Sequence, residues 1–252
     1  VIMPIFNTMF STINMDGKLT LKRYTDFFKD TYFLGIYLRT IKLSILTTSI
    51  CILLGFPTAY YISKKNQARK GLYIVLAVFP LLNSSVVRSF SWMVVLGKKG
   101  IVNTILTGSG IIDKPLSLLY NEFSIIVGLT HLFLPLMILS LVGVMENIDD
   151  SLMRAAESLG ASKFIAFIKV IVPLSIPGLI VGSVLVFTGS LTAYTTPSLL
   201  GGAKVRVMST LVYENAMTLS DWNTASVIAT IMILTTMLVS ITINSLTKKY
   251  NS

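Results

Sequence analysis

Residues able to do covalent chemistry are few and scattered. His131 is the only histidine and Cys51 the only cysteine, so a zinc site of the usual kind and an internal disulfide are both excluded. The sequence holds no Gly-x-Ser-x-Gly or His-Glu-x-x-His arrangement and no Gly-x4-Gly-Lys-Ser/Thr phosphate loop. The chain is therefore expected not to be an enzyme, to bind no metal and no cofactor, and to be unable to hydrolyse ATP by itself. His131 shares an apolar run with Pro135 and reads as a packed, hydrogen-bonded histidine. Arg88 is the one basic residue deep in an apolar run. A charge in such a place is a functional candidate by default, with a place at the outer mouth, or on a carbonyl, as the equal alternative.

The densest pattern lies in residues 147–177. Asp149 or Asp150 can N-cap a helix whose positive end suits acids. Leu152, Ala155, Ala156 and Leu159 recur at helical spacing. Gly160 can end that helix in a left-handed conformation, and Ser162 can cap the next one. Pro173 and Pro177 then loosen or kink this second helix. Small residues at 155, 156 and 160 leave room for another surface to approach; a plain interhelical turn is the alternative. A second polar break follows at Tyr194-Thr195-Thr196-Pro197, with Gly201-Gly202 after it. Broken helices of this sort are tolerated where they line a cavity, so an outer gate and an ordinary turn stand side by side. Trp92 suits an interfacial belt. Glu214 and Asp221, followed by Trp222, can attract a cation or meet a partner at the outer face.

The elements that must position these groups follow from composition. Of the 252 residues, 53% are hydrophobic and only 13% charged, against about 25% charged in average globular proteins; mean hydropathy is +0.76. The apolar residues come in long runs. A span needs roughly 20 of them, and five runs qualify: about 41–62, 72–96, 123–145, 168–191 and 225–246. None has an acid in its middle. The net charge of +10 reads as span flanks, not as a nucleic-acid footprint, because no aromatics interleave a basic stripe. The short connection 64–70 carries four cations. With Arg154, Lys163 and Lys169, and with Lys248 and Lys249, it places one side of the membrane, and the C-terminus, in the cytoplasm. Residues 1–16 read as the remnant of a first span and its outer flank. Residues 17–40 read as an external segment, with an amphipathic interfacial helix over 17–35. The membrane-spanning body runs over 41–246 with a cytoplasmic loop at 147–167, and 247–252 form a tail. The whole is expected to be an all-α integral membrane protein of six spans, the first truncated.

Ala155-Ala156-x3-Gly160, then Val170-x-Val172-Pro173, resembles the cytoplasmic loop of ABC importer permeases, whose pattern is Glu-Ala-Ala-x3-Gly-x9-Ile-x-Leu-Pro. The spacing fits without a gap. Arg154 stands where that family has Glu; Glu157, one turn on, is positioned to replace it. Gly55-Phe56-Pro57-Thr58-Ala59-Tyr60, Arg88-Ser89-Phe90-Ser91-Trp92 with Leu96-Gly97 and Gly100-Ile101-Val102-Asn103, and Thr196-Pro197-Ser198-Leu199-Leu200-Gly201-Gly202 with Asp221-Trp222 are similar to stretches of spermidine/putrescine-type permeases. Together these cover nearly the whole chain from about residue 17.

The resemblance implies the type I ABC importer permease fold and a place in a bacterial inner membrane. It implies a second homologous permease subunit, two ATPase subunits that hold ATP and Mg, and an extracytoplasmic solute-binding protein. It implies that Ala155, Ala156, Glu157, Leu159, Gly160 and Pro173 couple this chain to the ATPase. Arg88, Trp92, Tyr194, Thr196 and Pro197 are candidates for the path or gate, and Glu214, Asp221 and Trp222 for outer contacts. A polyamine is the expected solute; an aminophosphonate, opine-like or amino-acid-like solute is the alternative. A proton-coupled secondary carrier, the rival of another class, should show membrane acids, which the five runs lack.

Overall fold

The computed structural model describes Thr12, residues 14–15, 18–19 and 21–248. A two-residue antiparallel pair, β1 (Asn14–Met15) and β2 (Lys18–Leu19), precedes α1 (Lys22–Lys29). The helices α2 (Thr31–Ser63), α3 (Gln67–Leu82), α4 (Ser85–Leu96) and α5 (Ile101–Gly108) follow. Then come α6 (Glu122–Met145), α7 (Asp150–Ser158), α8 (Lys163–Leu174) and α9 (Ile176–Thr192). The chain closes with α10 (Thr195–Gly201), α11 (Met208–Tyr213), a π-helical turn Glu214–Thr218, and α12 (Trp222–Lys248). Among the described residues α2, α6 and α12 are each long and apolar enough to cross a membrane, and five spans result if two bent pairs count as one span each. The expected first-span remnant, 1–16, lies outside the described residues apart from Thr12 and 14–15, as does the tail apart from 247–248.

Three expectations change. The first complete span begins at Thr31, not near residue 41. Arg39 and Lys42 interrupt the apolar run, but both have a counter-ion in Glu122, at 3.6 and 2.6 Å, and the helix runs through them. Its start is fixed by Asp30, whose carboxylate accepts the Tyr32 N–H at 2.8 Å. The amphipathic helix accordingly shrinks to α1. The run 72–96 is not one helix: α3 stops at Asn83 and a separate helix, α4, begins at Ser85. Pro80 sits one turn before that stop, where a ring without an N–H weakens the last turn. The run 168–191 bends by 63° between α8 and α9, the kink expected of Pro173 and Pro177. Pro173 and Pro177 flank the bend, α8 passes through a π-turn at Phe167–Ile171, and the Ser175 hydroxyl donates to the Ile171 carbonyl at 2.7 Å.

The chain divides into two compact units. One comprises residues up to Leu46, Ser85–Leu129 and Ser190–Leu238; the other comprises Thr47–Ser84, Thr130–Gly189 and the stretch from Val239. In the second, α2, α6 and α9 meet around Met137. Cys51, Gly55 and Ala59 recur every fourth residue on α2, and Cys51 and Ala59 are fully buried with Met137, Leu141 and Val186. A Cβ on Gly55 would stand 2.8 Å from Met137 Cγ, and one on Gly182 2.6 Å from its Sδ. Small residues at that spacing are how helices approach closely in lipid, where apolar burial alone gives no drive.

Candidate functional site

The segment 147–167 folds as its sequence reads. The Asp149 carboxylate accepts the Ser151 N–H at 2.7 Å and caps α7. That backbone hydrogen bond, then a second from the Ser151 hydroxyl, holds the carboxyl below the usual carboxylate range. Gly160 takes φ +89°, a conformation that L side chains adopt only with strain. Its N–H donates to the Glu157 carbonyl at 3.0 Å, and Ala161 N–H to Ala156 at 3.1 Å, which satisfies the end of α7. Ser162 then caps α8 by accepting the Ile165 N–H at 3.4 Å. The result is an elbow whose apolar side chains face away from their own unit: Leu159 is 89% and Phe164 71% exposed. Ala155, Glu157 and Gly160 are exposed beside them, Ala156 half-buried. Arg154 is exposed too, and its charge acts on Asp149.

The elbow is tied to the basic connection 64–70 within the same unit. Lys64 pairs with Asp150, and Lys70 Nζ lies 3.1 Å from Glu146 Oε2. Phe167, at the start of the π-turn, packs edge-on against Tyr60 and Phe56 of α2. The elbow is thus continuous with α8 and, through Phe167, in contact with α2. The pairs bring together the connections that the charge pattern assigns to one side of the membrane. Pro173, named with the elbow residues from the motif, sits beyond the π-turn, near the α8–α9 bend.

In the other unit, α10 packs against α4 and α6. Thr196, Pro197 and Leu200 are buried, as is Arg88 at 6% exposure. The Ser124 hydroxyl and the Tyr120 N–H both donate to the Leu200 carbonyl at 2.9 Å. Gly128 admits α10: a Cβ there would lie 2.5 Å from Leu200 Cδ1 and 2.6 Å from Thr196 Cγ2. So the Thr-Pro-x-Leu-Leu-Gly-Gly stretch is a seated short helix, and Arg88 lies in the helix it seats on. Trp92 is half-buried in α4.

Next to α10 an open, mainly apolar cavity of about 530 Å3 is lined by Tyr194, Tyr213, Trp222, Ser209, Met217 and Thr192, among others. Tyr194 and Tyr213 stack with ring centroids 4.7 Å apart, tilted by 31°. Of the sequence candidates for path, gate or outer face, only Tyr194 and Trp222 line it; Arg88, Trp92, Thr196 and Pro197 do not. Glu214 is engaged by Arg206 at 2.7 Å. Asp221 caps α12: it accepts the Thr224 hydroxyl at 2.6 Å and the Thr224 N–H at 3.0 Å, which hold its carboxyl below the usual range. Sequence reading missed Tyr213 and Ser209. The signal was present, since Ser209, Val212, Tyr213, Ala216 and Met217 fall at i, i+3, i+4, i+7 and i+8, one helical face.

Residues 51–250 match the family described as binding-protein-dependent transport system inner membrane component. The chain is 35% identical over 211 residues to the spermidine/putrescine transport system permease protein PotB of Haemophilus influenzae, covering 84% of this chain and 73% of that protein. It is 31% identical over 203 residues to the protein of the same name from Escherichia coli, covering 81% and 74%. Its fold is similar to a chain in the crystal structure of a bacterial alginate ABC transporter in complex with an alginate pentasaccharide-bound periplasmic protein. The TM-score there is 0.73, at 17% identity, over 92% of this chain and 83% of that one.

Proposed function

This chain belongs to the family of binding-protein-dependent transport system inner membrane components, and from that premise we propose that it is the permease subunit of an ABC importer for polyamines of the spermidine and putrescine class. The observation that carries the reading is the elbow. An inner-membrane chain that turns Leu159 and Phe164 outward on a left-handed glycine, braced to its own α2, α3 and α6, presents a knob for another subunit. The occupant is an ATPase subunit, because this chain has no phosphate loop and ATP with Mg must be held elsewhere. Ala155, Ala156, Glu157, Leu159 and Gly160 form the contact, with Pro173 at the hinge beyond.

Two ATPase subunits close on ATP and push the elbow. The push travels through Phe167 to Tyr60 and Phe56, and along α8 to its bend. A binding protein delivers solute to the outer face, and the path lies between this chain and a second, similar permease. The elbow side and the C-terminus are cytoplasmic. An ATP-driven importer needs no membrane acid for proton coupling, and membership of this family argues against the secondary-carrier reading.

The names of the two relatives support the polyamine, and the cavity at Tyr194, Tyr213 and Trp222 suits one. Aromatic faces attract desolvated ammonium groups and also accept the methylenes between them, while Ser209 and Thr192 offer hydroxyls to N–H donors. Uptake assays with the reconstituted importer test this. Spermidine or putrescine should be accumulated in an ATP-dependent way, and Tyr213→Ala should raise the concentration needed for half-maximal uptake by about tenfold, the scale of one cation–π contact. Transport of amino acids or aminophosphonates with neither polyamine accepted would remove the substrate reading and leave the importer intact.

A further inference from the structure

The connection 64–70 carries four cations, and the structure divides them two and two. Lys64 and Lys70 are neutralised by Asp150 and Glu146. Lys65 and Arg69 have no carboxylate partner among the described residues. Lys65 is turned toward Tyr61, its Nζ 3.9 Å from the centre of the ring, and Arg69 stands one turn before Tyr73 on the same face of α3. The rings of Tyr61 and Tyr73 are 5.8 Å apart, and the two phenols stand at one end of a groove of about 370 Å3. Farther along, the groove is lined by Leu76, Pro80, Leu134 and Pro135 of α3 and α6. No residue of α3 is fully buried; Leu72, Leu76 and Phe79 are each more than half exposed.

A groove that is mainly apolar along its length, with Thr58 and His131 as its polar members, phenolic at one end and with two cations beside the phenols matches one class of molecule available to an inner-membrane component. We propose that it binds an anionic phospholipid, with the phosphate on Lys65 and Arg69, the glycerol region at Tyr61 and Tyr73, and one acyl chain along Leu76, Pro80 and Leu134. The two uncompensated cations supply the charge complementarity. The pairing of Lys64 to the elbow and of Lys70 to Glu146, just after α6, holds the connection in place and leaves the other two to face the lipid. Tyrosine at the boundary between headgroup and hydrocarbon is where its amphipathic ring is favoured, and basic pockets between membrane helices are suited to anionic headgroups.

The test uses the intact importer, purified in detergent, stripped of lipid and titrated with dioleoylphosphatidylglycerol or dioleoylphosphatidylcholine under native mass spectrometry. Phosphatidylglycerol should be retained preferentially. Lys65→Gln with Arg69→Gln should reduce that preference about tenfold or more, since each basic residue near an anionic lipid surface is worth roughly a factor of five. The charge-preserving pair Lys65→Arg, Arg69→Lys should keep it. Leu76→Trp, which fills the groove from its exposed side, should weaken both lipids. Equal retention of the two lipids by the unaltered importer would overturn the proposal, as would an unchanged preference in the double Gln variant or no effect of Leu76→Trp. Displacement of phosphatidylglycerol by millimolar glycerol phosphate would also overturn it, by showing a site for free anions.

Discussion

Gly160 is the position at which the coupling reading can be broken most cleanly. A Cβ there meets nothing within 4 Å, so crowding plays no part and only φ +89° distinguishes one substitution from another. Asn, whose short side chain tolerates the left-handed region, should transport nearly as well as Gly. Ala has no such tolerance and costs about 1–2 kcal/mol in that conformation. This is small against the 5–15 kcal/mol, roughly, that holds a domain, so the protein inserts and uptake falls severalfold at most. Pro cannot comply, because its ring fixes φ near about −65° and removes the N–H now bonded to Glu157 at 3.0 Å. The elbow must open there, and Leu159 and Phe164 lose their common placement. Gly160→Pro should therefore lower polyamine uptake at least tenfold, with unchanged amounts of protein in the membrane and with basal ATP hydrolysis by the complex retained. Uptake by the Pro variant at the unaltered rate would refute the reasoning. So would an equal loss in the Asn, Ala and Pro variants, since that would point to the absent side chain and not to the backbone conformation.

Two further outcomes follow from local geometry. Gly128→Ala puts a methyl 2.5 Å from Leu200 Cδ1 and 2.6 Å from Thr196 Cγ2; both side chains are buried and have nowhere to retreat, so destabilisation of about 1–3 kcal/mol is expected, read as a lowered thermal midpoint of the purified protein. An unchanged midpoint would show that α10 is not seated as described. Asp149 has its folded pKa lowered by the Ser151 hydrogen bonds, so its capping contribution is present above the unfolded carboxylate range and is lost as pH falls through the depressed folded value. Amide exchange over residues 150–158 should accelerate on acidification through that window, and Asp149→Asn should flatten the dependence; acid-insensitive exchange in the unaltered chain would contradict this.

Much of this protein was legible in the sequence because the relevant signals are local. The elbow needs Asp149, Gly160 and Ser162, each acting on backbone groups within three residues of itself, and a local signal survives whatever surrounds it. The apolar runs declared a membrane protein for the same reason: hydrocarbon demands roughly 20 apolar residues in succession wherever they pack. What a run of residues does not carry is the choice among equivalent long-range partners. Nothing in the connection 64–70 tells which two of its four cations meet Asp150 and Glu146 and which two are left without a carboxylate among the described residues. Nothing in residues 208–218 shows that Tyr213 stacks on Tyr194. The bounds of the first complete span went astray at Arg39 and Lys42, whose counter-ion Glu122 is some eighty residues away. Hydropathy counts such charges against a helix, while the tertiary structure neutralises them. Caps, glycines and apolar runs were thus the sequence's to determine, and the pairing of charges and the assembly of the aromatic cavity belonged to the fold, because a Coulomb or ring contact depends on distance in space and not along the chain.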